Sequence, residues 1–166
     1  MKRTCKTHIK QRGFTMIEMV MVLIVLAIVS AIVIYRPTAT GSNDLFVQTE
    51  ILKSHLRYAQ IKAMNDSPDA TNLNIWGISI PNAGSYVLYK NNAQASIQLP
   101  GESAQTHSLP TGVTITSSTG TTYNFNEYGI PVDTGGSPIG TTQTITLSQG
   151  ADTSAITITK NTGYIP

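Results

Sequence analysis

The residues Lys10-Gln11-Arg12-Gly13-Phe14-Thr15-Met16-Ile17-Glu18, with the apolar run from Met19 to Tyr35 behind them, decide the reading of this chain. A basic leader ends in glycine, a phenylalanine follows, and a lone acid stands at the head of a hydrophobic segment. Met19 to Val29 contains no polar residue, Ser30 interrupts once, and Ala31 to Ile34 resumes. As a helix rising about 1.5 Å per residue, the run from Met19 to Tyr35 measures roughly 25 Å, slightly short of the ~30 Å hydrocarbon core of a bilayer. Adding Phe14 to Ile17 lengthens it enough to span. Glu18 is then the anomaly, because a carboxylate taken deep into a membrane without a partner costs about 2–3 kcal/mol. It needs a partner.

Gly13-Phe14-Thr15-Met16-Ile17-Glu18 and the run behind it resemble the class III signal of type IV pilins and type II secretion pseudopilins. The resemblance implies that prepilin peptidase cuts between Gly13 and Phe14 and methylates the new amino terminus of Phe14. It also implies that Glu18 pairs with the Phe14 amine of a neighbouring subunit during assembly. The implied partners are the peptidase, other pilin or pseudopilin subunits and an inner-membrane assembly platform. Two plainer readings compete. One is an ordinary signal peptide, for which Val29-Ser30-Ala31 offers a small-x-small site; the other is a simple signal anchor on a periplasmic β-domain unrelated to filaments. Glu18 inside the apolar region, and the apolar residues that continue past Ala31, argue against the first.

Composition fits one small exported domain. The 166 residues suffice for a single core, and only 12% of them are charged. Lys2, Arg3, Lys6, Lys10 and Arg12 all precede the expected cut, with no acid among them. Removing them leaves 6 of the 11 basic residues against 9 acidic ones, so a formal charge of +2 becomes −3. A basic leader stays cytoplasmic by the positive-inside rule, which puts everything after Tyr35 in the periplasm and makes the protein single-pass in the inner membrane. Cys5, the sole cysteine, leaves with the leader, so no disulfide is expected in the mature chain.

Arg36-Pro37 marks the exit from the apolar run, and Thr38 to Ser42 predicts a kink or short break. Helix is expected to resume at Asn43-Asp44, both good N-cap types, and to end near Asn65. Leu45, Leu52, Leu56, Ala59 and Ala63 recur at helical spacing, with Ile51 and Tyr58 beside them, so this half presents one apolar stripe to a sheet. From Leu73 onward short strands alternate with turn signals. Strands are expected at Leu73 to Ile80, Ser85 to Lys90, Ile97 to Leu99, Val113 to Thr116 and Thr122 to Phe125. A loop from Gly129 to Gly140 separates them from a closing hairpin, Thr142 to Leu147 with Ala155 to Lys160, whose Thr/Ile alternation buries one side. The expected fold class is α+β, a long N-terminal spine helix with a transmembrane first half and an amphipathic second half, packed on a C-terminal antiparallel β-domain. The segments are a cleaved leader (1–13), a transmembrane and assembly helix (14–36), a kink, amphipathic helix and connection (37–72), and a periplasmic β-domain (73–166).

The second half carries a looser resemblance. Phe125-Asn126-Glu127-Tyr128-Gly129, then Thr144-Ile145-Thr146-Leu147, Ile156-Thr157-Ile158 and Thr162-Gly163-Tyr164-Ile165 are similar to the minor pseudopilin H and FimT-like minor pilin family. Leu56-Arg57-Tyr58-Ala59-Gln60 resembles the helix of that group and of minor pilins of mannose-sensitive haemagglutinin pili. Catalytic signals are sparse. His55 and His107 are the only bases left after the cut, neither lies in a nucleophile motif, and His55 reads as an ordinary partly buried or surface histidine. No metal or cofactor is expected, since Asp133 is the sole acid in the glycine-rich loop. Some FimT-like pilins take up DNA, but Lys90 and Lys160 are the only basic residues after Lys62, which argues against nucleic acid. The expectation is a non-enzymatic minor pilin or pseudopilin; pilus, competence and secretion filaments fit the sequence equally.

Overall fold

The computed structural model of the protein describes residues 15–34, 40–66, 74–117 and 121–166. The chain forms two compact units, Met1–Ala39 and Thr40–Pro166. In the first, the described structure is one helix, α1 (Met16–Ile34). Val and Ile lower its intrinsic propensity by a few tenths of a kcal/mol each, but no glycine or proline interrupts it. Every residue from Thr15 to Ser30 is exposed; Leu23 and Ile24, neighbours on the helix, are 64% and 54% accessible. Apolar side chains therefore face outward on all sides, and Ser30 hides its hydroxyl by donating to the Leu26 carbonyl at 2.7 Å. Among the described residues no helix is long and apolar enough to cross a membrane. The 19 residues of α1 rise about 28 Å, marginal against a ~30 Å core. The expected extension through Phe14 and the expected kink at Arg36-Pro37 lie outside the described residues, and α1 and α2 are each described by itself.

The second unit opens with α2 (Thr40–Asn65). It starts three residues before the expected Asn43-Asp44. Gly41 costs only about 1 kcal/mol in a helix, little enough for an established helix to extend through it. The remaining elements are β1 (Trp76–Asn82), β2 (Ser85–Lys90), β3 (Ala93–Gln94), β4 (Thr106–Ser108), β5 (Val113–Ser117), β6 (Thr122–Phe125), β7 (Pro131–Val132), β8 (Gln143–Gln149) and β9 (Asp152–Ile158). All pairings are antiparallel. One sheet runs β3-β2-β1-β6-β7, with β4 beside the first half of β2; the other runs β5-β8-β9. The expected strand at Ile97 to Leu99 is not one: Leu99 is buried as a loop residue, while β3, β4 and β7 went unread because two or three residues carry no periodicity. The closing hairpin is present with a tighter turn. Gln149 pairs with Asp152, leaving only Gly150 and Ala151 between them, and Gly150 takes a φ of 62°.

The helix stripe meets both sheets. Leu52, Leu56, Ala59 and Ala63 are fully buried, as are Ile78, Tyr86, Tyr123 and Phe125 of the first sheet and Ile145, Leu147 and Ile156 of the second. Each such burial is worth about 1.5–3 kcal/mol for the larger side chains. Polar contacts then fix the helix lengthwise. At its end, Asp66 accepts from Trp76 Nε1 at 2.8 Å and Lys90 Nζ at 2.7 Å, with Lys90 4.9 Å from the indole centre. The hydrogen bond from Lys90, then that from Trp76, hold the Asp66 carboxyl below its usual value. Less than two turns before the helix end, the Gln60 amide donates to the carbonyls of Gly129 (2.8 Å) and Gly163 (3.0 Å), joining two distant loops.

Gly163 shows how tight that junction is. Its φ is +64°, and a Cβ would land on the Gly129 carbonyl oxygen. Gly140 has neither constraint, with nothing within 4 Å of a built Cβ. Gly163→Ala is therefore expected to lower the stability of the full chain by at least about 1–2 kcal/mol, and Gly140→Ala to leave it unchanged or slightly raised. Denaturant melts of the two variants check this; equal midpoints would remove the close-approach argument.

Candidate functional site

The expected site residues are Gly13, Phe14 and Glu18. Gly13 and Phe14 lie outside the described residues, whereas Glu18 stands in the first turn of α1. Thr15 precedes the helix and acts as its N-cap. The Glu18 N–H donates to Thr15 Oγ1 at 3.3 Å, and the Thr15 N–H donates to Glu18 Oε2 at 3.5 Å. Backbone bonds from Glu18 and Met19 to the Thr15 carbonyl, at 3.1 and 3.3 Å, close the turn. This is a capping box, in which Thr and Glu three residues apart satisfy each other's orphan backbone donors. A carboxylate in this position also faces the positive end of the helix dipole, a further 0.3–1 kcal/mol or so. The spacing Thr15-x-x-Glu18 ahead of an apolar run is the sequence signature of this box.

The box has a sharp boundary on its apolar side. Met16, Ile17 and Met19 are 89%, 71% and 57% exposed. A hydrogen-bonded cap thus opens a helix whose described surface beyond it is apolar except at Ser30.

The two bases that the sequence left isolated come together in the second unit. His55 and His107 are both buried, with ring centroids 5.7 Å apart. His107 lies on β4 directly opposite Tyr86 on β2, and those rings stack at 4.6 Å. Proton placement follows from what each neighbour can accept. The Pro100 carbonyl, 3.1 Å from His55 Nε2, only accepts, so Nε2 carries the hydrogen. His55 Nδ1 then accepts from the Tyr86 hydroxyl at 2.9 Å. Around His107 both neighbours are oxygens: Glu102 Oε1 is 2.6 Å from Nδ1, and Gln48 Oε1 is 2.9 Å from Nε2. The Glu102 carboxylate only accepts, so His107 Nδ1 carries a hydrogen, while the Gln48 amide can meet Nε2 as acceptor or, turned over, as donor. Burial pushes His55 below the ordinary imidazole value; the Pro100 bond opposes this, His107 adds to it and Glu102 opposes it. Burial, with Glu102 adding to it, holds Tyr86 far above the usual phenol value. His55 is thus fully buried and doubly bonded rather than partly exposed.

Among the described residues no group of three His, Cys, Asp or Glu is arranged to hold a metal. Asp133 is occupied by its own turn, accepting from the Gly135 and Ser137 N–H groups at 2.9 Å each. Lys90, one of the two basic residues after Lys62, is committed to Asp66 and Trp76.

Residues 9–34 match the family described as the prokaryotic N-terminal methylation motif. The match takes in Gly13, Phe14, the capping box and α1, and it supports a type IV pilin-like substrate of prepilin peptidase. No curated protein and no solved structure matches the chain.

Thr15→Ala removes half of the capping box, and the N-cap loss is expected to be about 1 kcal/mol. Amide exchange at Ile17 to Val20 of the full chain in detergent should quicken several-fold in Thr15→Ala and stay near the parent in Thr15→Ser. Unchanged exchange in the alanine variant would mean that the cap does not hold the turn.

Proposed function

We propose that the chain is a non-enzymatic structural subunit of a type IV pilus or type II secretion filament, a minor pilin or pseudopilin of the H or FimT-like kind. In this reading prepilin peptidase cuts between Gly13 and Phe14 and methylates Phe14. The α1 segment, extended by the residues before it, anchors the protein as a single pass in the inner membrane with the β-unit in the periplasm. It later leaves the lipid to pack against helices of other subunits. The observation that carries the reading is the coincidence of the methylation motif at residues 9–34 with a helix that is apolar on every described side. Among the described residues of its unit such a helix has nothing to bury against, which supports lipid or like helices as its surroundings. The single helix and antiparallel sheets of the second unit are compatible with a pilin fold.

Glu18 has two roles to reconcile. In the described structure it caps its own helix; in a filament it would pair with the Phe14 amine of a neighbour. The capping bonds use backbone donors at 3.3–3.5 Å, and one carboxylate offers several lone-pair sites, so both partners are compatible.

Co-expression with a prepilin peptidase is expected to remove thirteen residues and leave N-methyl-Phe14, read by intact mass. A cut after Ala31 would instead establish an ordinary signal peptide. Glu18→Gln keeps an acceptor for the cap but loses the charge, whereas Glu18→Val loses both. If charge pairing drives assembly, both variants are cleaved and anchored yet co-purify poorly with other pilins. Assembly of Glu18→Gln at the parent level would leave only the cap, and equal assembly of both would end the pairing idea.

A further inference from the structure

We propose that His55, Tyr86, His107 and Glu102 form an acid-released clasp that holds the 95–108 segment against α2. The segment leaves β3, turns at Leu99–Glu102 through a 3.1 Å backbone bond, and returns as β4. Ala95 and Leu99 seat it on the core, but its described hydrogen bonds to α2 are two, His55 to the Pro100 carbonyl and His107 to Gln48. β4 itself pairs with β2 over three residues only, Ser85↔Ser108 to Val87↔Thr106. The polar cluster is therefore a principal tie across this edge.

One proton changes its bonding. Neutral His55 has one donor and one acceptor, and both are used. A second hydrogen on Nδ1 turns the acceptor toward Tyr86 into a donor and leaves the buried Tyr86 hydroxyl hydrogen without its acceptor. It also sets a positive ring 5.7 Å from the His107 ring, in a cluster whose one carboxylate, Glu102, is engaged by His107 Nδ1. The ionisable groups that bear on His55 are Tyr86 from β2, His107 from β4 and Glu102 from the turn before it; Gln48 on α2 is neutral.

The direction follows from linkage. Folded His55 takes a proton less readily than it does in the opened chain, because burial disfavours its charge. The clasp is thus fully closed above the ordinary imidazole value of about 6.5 and loses stability as pH falls below it, toward the folded value. Within that window, uptake of one proton raises the opening constant by up to about tenfold per pH unit.

Amide exchange of the full chain in a neutral detergent tests this between pH 7.5 and 5.0, above the ordinary carboxyl range. After correction for intrinsic rates, amides from Leu99 to Leu109 should open more in acid while those of the β8–β9 hairpin do not. His55→Gln keeps a donor for Pro100 and an acceptor for Tyr86 but binds no proton, so its exchange should lose the pH dependence. An unchanged acid response in that variant, or none in the parent, would overturn the clasp. Imidazole ¹⁵N shifts of the parent give a second reading that needs no variant. His55 should remain the Nε2–H tautomer with titration displaced to acid, and an ordinary titration there would equally overturn it.

Discussion

The fold of the second unit depends on one stripe of α2, Leu52, Leu56, Ala59 and Ala63, on which two separate sheets pack, meeting each other at the Ile115 N–H to Ala83 carbonyl bond of 2.8 Å. Neither sheet is large enough to bury a face alone; a three-stranded sheet such as β5-β8-β9 gains independent stability only by packing on something. The helix is that something for both. Alanine at positions 59 and 63 matters as much as leucine at 52 and 56, because small side chains let the helix backbone lie close to the strands. Polar ties at Asp66, Gln60 and the His55 cluster then fix the helix lengthwise, which apolar packing alone does poorly.

Most of this was legible where a period could establish itself. The α2 stripe repeats over five positions and the closing hairpin alternates on both arms, so these elements announced their buried faces, while β2 showed itself as a continuous apolar run, Tyr86 to Tyr89. Elements of two or three residues had no period to read, and Leu99 looked like a strand residue because it is apolar, whereas it plugs the core from a loop. Asn43 and Asp44 have the chemistry of helix caps, yet α2 runs straight through both from Thr40.

The candidate sites divide in the same way. Thr15-x-x-Glu18 is a local pattern and could have been read from the chain, but the membrane cost of a lone carboxylate drew attention to partners farther away. His55 and His107 could not have been paired from sequence. Their meeting requires β4 to align with β2 at Tyr86, and it draws Gln48, Pro100 and Glu102 from separate places. Asp66 follows the helix end as one more polar residue in the sequence, and only the strand order reveals it as the acceptor for Trp76 and Lys90.

The end of the described chain is stitched to the helix rather than trailing from the sheet. Arg57 donates to the Ile165 carbonyl at 3.0 Å, Gln60 holds Gly163, and Ile165 is itself buried. Ile61 and Tyr164, which line one hollow with Arg57 and Gln60, stay half or more exposed. A fluorophore placed at Tyr164 would therefore report on whatever approaches this face of α2.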